Sequence, residues 1–204
     1  MSNPKLHLLA LVLILAGCAA PSGTRSSPKP GSGIVEYREI TRQGHRAVSA
    51  TVDALEALTP SNPALADFDR ALSQLELTSV KVRARAEAIM ARGQAYFDEW
   101  KEQLAGITNQ TTARTETERY GRLFEHFEHV RQRSGEVREQ FRPLMAGLRE
   151  FRARLDQRPN ELSRNELDTL IASGRGVLRA LESVSAGLDA AEAELHASMK
   201  GKSP

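Results

Sequence analysis

One cysteine, Cys18, stands among the 204 residues. A lone thiol excludes an intramolecular disulfide framework. An excess of one charge is also lacking: 28 basic residues face 26 acidic ones, finely mixed along the chain. That balance excludes the clustered Lys and Arg of a nucleic-acid footprint, so no nucleic-acid partner is expected. Long apolar runs are confined to Leu6–Ala16. That run is too short to span a bilayer as a helix, which takes ~20 apolar residues. No other stretch approaches 18 apolar residues. Alternation with period two is missing over any length that would build a sheet.

What is there begins with the apolar run. A short, weakly basic start precedes it and small residues follow it, as in a signal peptide. Leu15-Ala16-Gly17-Cys18 matches the lipobox of bacterial lipoprotein signal peptides. The resemblance implies cleavage before Cys18 and lipid on both its sulfur and its new amino group. One acyl chain anchors marginally and a second makes anchoring stable. A lipoprotein cysteine carries three. Ala19 rather than Asp follows the cysteine, which resembles the outer-membrane address of Gram-negative lipoproteins. The stretch Ala19–Gly33, "AAPSGTRSSPKPGSG", lacks large apolar residues. It reads as a disordered tether with a root-mean-square span of roughly 20 Å. The expected organisation is a signal peptide over 1–17, lipidated cysteine and tether over 18–33, a helical domain over 34–200 and a frayed tail over 201–204.

The rest of the chain repeats apolar residues at steps of three and four, the mark of coiled-coil-like packing. Helix one, about 34–58, carries Tyr37, Thr41, Gly44, Val48, Thr51, Leu55 and Leu58 on one seam. Helix two, about 63–107, carries Leu65, Phe68, Leu72, Leu75, Ser79, Val82, Ala86, Ile89, Gly93, Tyr96 and Trp100. Helix three, about 112–157, carries Tyr120, Leu123, Phe127, Val130, Ser134, Val137, Phe141, Leu144, Leu148, Phe151 and Leu155. Helix four, about 164–199, carries Leu167, Leu170, Gly174, Val177, Leu181, Val184, Leu188, Ala191 and Leu195. Asn62 with Pro63 suits a helix start. Ser163–Glu166 fits a capping box, with Glu166 able to reach back to the cap. Pro143 should kink or bend helix three. Seam glycines 44, 93 and 174 each cost ~1 kcal/mol of helix propensity and point to close helix approach or local softness.

Short loops favour antiparallel neighbours. The predicted fold is therefore all-α, an elongated antiparallel bundle of four long helices with heptad packing. A turn near 109 pairs Phe127 with Gly93, Val130 with Ile89 and Ser134 with Ala86, so that large side chains meet small ones. Helices two and three then span roughly 65–70 Å. Helix four reaches back to about 122, and a two-helix tip protrudes around the 106–112 loop. Six of the ten aromatic residues gather towards that tip: Tyr96, Phe97, Trp100, Tyr120, Phe124 and Phe127. A thin hairpin needs large side chains to bury enough surface. Tyr96, Phe97, Trp100, Tyr120 and Phe124 are also the candidate contact patch for a partner.

Three segments carry a family likeness: "AEAIMARGQAYFDEWKEQL" (Ala86–Leu104), "ERYGRLFEHF" (Glu118–Phe127) and "REQFRPLMAGLREF" (Arg138–Phe151). Together they resemble a family of bacterial lipoproteins with a helical domain of unknown function. The likeness covers about 70–200 and departs after Phe151. The resemblance implies a helical lipoprotein and no particular activity.

The segment richest in potential metal ligands is "FEHFEHV" (Phe124–Val130). Di-iron bundles hold their metals with inward Glu-x-x-His on two helices and Glu from the other two. Here the seam takes Leu123, Phe127 and Val130, so Glu125, Glu128 and His129 face solvent and His126 only flanks the seam. His45 and His196 lie on other helices. No metal or cofactor is expected. No serine sits in a Gly-rich elbow, and lipidation would remove the one thiol. Gly174-Arg175-Gly176 lacks the context of a phosphate loop. Ser203 and Pro204 follow Lys202, unlike lipoproteins joined to the wall through a terminal lysine.

The expected function is a membrane-anchored envelope lipoprotein, not an enzyme, acting as a scaffold or interaction module of the periplasm. Its expected partners are the membrane, through the lipidated N-terminus, and an envelope protein or glycan. The alternatives are a metal-binding or enzymatic bundle centred on Glu125–His129, and self-association through the exposed seam of helix two.

Overall fold

The computed structural model describes residues 30–58, 65–158 and 163–200. Nearly all of them lie in four helices: α1 (Pro30–Glu56), α2 (Leu65–Ala105), α3 (Gln110–Gln157) and α4 (Arg164–Lys200). The fold is an all-α bundle, and the predicted helices agree with the observed ones to within a few residues. Residues 1–29, with Cys18, the Asn62–Pro63 helix start and the 201–204 tail lie outside the described residues.

The helix ends follow local chemistry, with two departures from expectation. First, α1 begins at Pro30, inside the stretch read as tether. Proline's fixed φ suits a first helical position. Packing then outweighs the poor propensity of Gly31 and Gly33. A β-carbon on them would lie 3.6 Å from Leu195 and 3.9 Å from Ile89 respectively. Second, the capping box at α4 forms by half. Ser163 Oγ accepts from the Glu166 N–H at 3.4 Å. The Glu166 carboxylate, however, pairs with Arg154 on α3. At the start of α3, Asn109 accepts from the Thr112 N–H at 2.9 Å and caps the helix. Further on, α3 runs through Pro143 unbroken. The bond lost there is the one to the Glu139 carbonyl, on an exposed face where water can replace it.

The helices run antiparallel, and each packs beside its chain neighbours, with α1 also against α4. Cross-helix ion pairs mark the register. Arg38 on α1 reaches Asp189 and Glu192 on α4 at 2.9 and 2.7 Å. Arg149 on α3 meets Glu76 on α2 at 2.7 Å, and Arg152 meets Asp69. Exposed pairs of this kind contribute ~0–1 kcal/mol each. The apolar seams therefore hold the bundle.

At the thick end Phe68 and Phe151 meet edge to face, 5.8 Å apart, among Leu55, Leu148 and Val177. In the middle lie Ile40, Ile89, Val130 and Val184. Here the Tyr37 hydroxyl donates to Ser134 Oγ at 2.8 Å, tying α1 to α3 across the bundle. The buried seam threonines return their hydroxyls to their own helix, Thr41 to Tyr37 O and Thr51 to Ala47 O, both at 2.9 Å. The expected large-to-small pairing at Gly93 is present: a β-carbon there would stand 2.5 Å from the Phe127 ring. Gly174 is equally close to Val52, at 2.5 Å. Gly44 is in ordinary contact, 3.9 Å from Leu181, and marks no close approach.

Candidate functional site

The two-helix tip exists but is shorter than expected for a helix four that reaches back only to about 122. The added first turn carries α1 further along α2, as the Glu36–Arg92 pair shows at 2.5 Å. Arg122 meets Glu194 at 2.8 Å, so α4 also runs further along α3. Only about 99–105 and 110–116 extend beyond the four-helix body.

The aromatic group sits where that body ends. Phe97 is its hub: only 7% exposed, it touches the rings of Tyr96, Trp100, Tyr120, Phe124 and Phe127 at 5.2–6.2 Å. Ile34, Leu123 and Leu195 close it from the other helices. Phe97 is thus core. Tyr96, Trp100, Tyr120 and Phe124 are half-buried. Burial holds the Tyr96 and Tyr120 hydroxyls above their ordinary pKa, and both stay neutral at physiological pH.

On one side of the tip Trp100 and Tyr96 floor a shallow depression of about 260 Å³, ringed by Glu99, Gln103, Glu116 and Arg119. The Arg119 guanidinium lies 5.4 Å from the Trp100 ring centroid, a cation–π distance. It also pairs with Glu116 at 3.6 Å. A π face beside fixed charges of both signs can hold a polar ligand in one orientation.

A second concavity has no counterpart in the sequence-based expectation. Between all four helices, next to the aromatic group, is an apolar cavity of about 390 Å³. Ile34, Ile89, Phe97, Leu123 and Leu188 form its walls. Ser32, Glu36 and Arg92 form its solvent-facing rim. Three small residues, Gly33 on α1, Gly93 on α2 and Ala191 on α4, line this one layer. Phe127 refills only the part above Gly93. The sequence held a signal for this in the seam glycine, but the coincidence of three small residues at one level needs the register.

The 125–129 cluster is dispersed. Glu125 and His129 are exposed, Glu128 pairs with Arg131 at 2.5 Å, and His126 turns towards the cavity. His45 lies beside Glu182, 3.7 Å away, far along the bundle. Among the described residues no three His, Cys, Asp or Glu side chains gather as a metal ion requires. No described helix is long and apolar enough to cross a membrane. The chain matches no protein-family model, no curated protein and no solved structure. The lipoprotein-family likeness therefore rests on the three quoted segments.

Proposed function

We propose that the protein is a lipid-anchored, non-catalytic interaction module of the cell envelope. It hangs from the outer membrane through Cys18 and faces the periplasm. The lipobox Leu15–Cys18 is the observation that carries this reading. Eleven residues lie between Cys18 and the first turn of α1, enough to let the bundle stand clear of the bilayer. The contact face is the tip depression around Trp100, and its partner is an envelope protein or glycan. A half-buried tryptophan flanked by an arginine has the composition of an interface hot spot.

Mass spectrometry of the mature N-terminus and membrane fractionation test the anchor. An acylated N-terminal Cys18 in the outer-membrane fraction is expected, and an unmodified or retained leader rules the anchor out. Crosslinked pull-down tests the contact face. Trp100→Ala should weaken partner capture ~10-fold or more, as hot-spot residues do, with little loss of helix content. Gln103→Ala, which leaves the aromatic packing intact, should weaken capture too. Equal loss of capture and helix content in Trp100→Ala, with no effect of Gln103→Ala, would make the cluster purely structural.

A further inference from the structure

The apolar cavity calls for an occupant. Its walls are aliphatic and aromatic side chains from four helices, and its volume of about 390 Å³ is that of a ligand site. Open at its rim, it leaves apolar side chains facing water that an apolar occupant would displace. At about 30 Å³ per water-sized group, it has room for roughly a dozen methylenes. That is the chemistry of one linear acyl chain.

The position of the rim indicates where the chain comes from. Ser32, Gly33 and Ile34, in the first turn of α1, are part of the cavity lining. The start of α1 thus lies at the opening. The residues between Cys18 and Pro30 read Ala-Ala-Pro-Ser-Gly-Thr-Arg-Ser-Ser-Pro-Lys and offer no large apolar side chain. On the lipoprotein reading, the large apolar groups that this segment carries are the acyl chains on Cys18. Eleven residues reach at most ~40 Å when extended, so an acyl chain on Cys18 can reach the opening. Linking of this kind sets a millimolar effective concentration. Two acyl chains suffice for stable anchoring, so the third can leave the bilayer without releasing the protein.

We propose that the cavity between Ile34, Ile89, Phe97, Leu123 and Leu188 houses one of the acyl chains carried by Cys18. This rests on the lipoprotein reading above. It makes the bundle a receptor for its own anchor, so the distance between tip and bilayer depends on where that chain lies.

Met90 lines the cavity, whereas Met145 lies in the core of the thick end. Full-length protein made in cells with photo-methionine, irradiated in native membranes and digested with trypsin, tests the idea. The peptide Ala86–Arg92 should be joined to the acylated Cys18 peptide, and the Met145 peptide should not. Ala191→Phe, which fills the cavity, should lower that product several-fold while helix content is kept. An acylated Cys18 whose chain never joins Met90, or a Met90 joined to free phospholipid instead, overturns the proposal and leaves the anchor standing. An unmodified Cys18 removes both.

Discussion

Tyr37 carries a hydroxyl into the middle of an apolar seam, and one bond to Ser134 makes that tolerable. Ser134 in turn donates to the Val130 carbonyl at 2.7 Å, so the pair forms a closed relay between α1 and α3. Burial raises the Tyr37 pKa above its ordinary value of 10.0, against smaller lowering effects of Ser134 and Arg138. The folded state thus holds this proton more tightly than the unfolded chain does. Its contribution is complete below pH ~10 and is lost as pH rises through the folded pKa. Tyr37→Phe should cost ~1 kcal/mol at neutral pH, the net worth of one hydrogen bond. In exchange, stability should fall less steeply above pH ~10. Urea unfolding of both proteins at neutral and alkaline pH measures this. A variant with the same alkaline loss as the parent would take Tyr37 out of the account.

At the scale of the helix, glycine is the informative residue, because its effect depends on what it faces. Gly93 on α2 makes room for Phe127, so Gly93→Ala should destabilise. Overpacking costs ~1–3 kcal/mol, against a gain of ~1 kcal/mol in helix propensity. Gly121 on α3 is exposed, and a β-carbon there would meet nothing within 4 Å. Gly121→Ala should therefore stabilise by up to ~1 kcal/mol. Opposite shifts in thermal midpoint are the expected result. The seams that produce these contacts were legible in the sequence: every seam position assigned to helix four is buried, from Leu167 to Leu195. The start of α1 was not. Pro-Gly-Ser-Gly has the composition of a linker, and only contact with Leu195 and Ile89 turns it into helix.

For the whole molecule, burial is graded along the axis. The thick end packs Phe68, Leu148 and Phe151 at 0–1% exposure. The tip beyond about 99 and 116 has two helices and no third wall. Opening free energies follow that gradient, because local stability tracks buried apolar contact. Hydrogen exchange should be fastest over 99–116 and slowest over 144–155 and 177–188. Uniform protection along α3 would contradict it. The same gradient explains the placing of the aromatic hub: Phe97 and its five neighbouring rings seal the point where the four-helix core gives out.

The amino-acid sequence alone determined the class of fold, the number of helices, their approximate ends and most of the buried residues. It could do so because apolar spacing and turn chemistry act locally. Tertiary structure decided the rest. It turned Phe97 from a candidate contact into core. It also opened a cavity where Gly33, Gly93 and Ala191 fall on one level. Each of these depends on which residues of different helices share a layer. That is a property of register, and a single helix does not contain it.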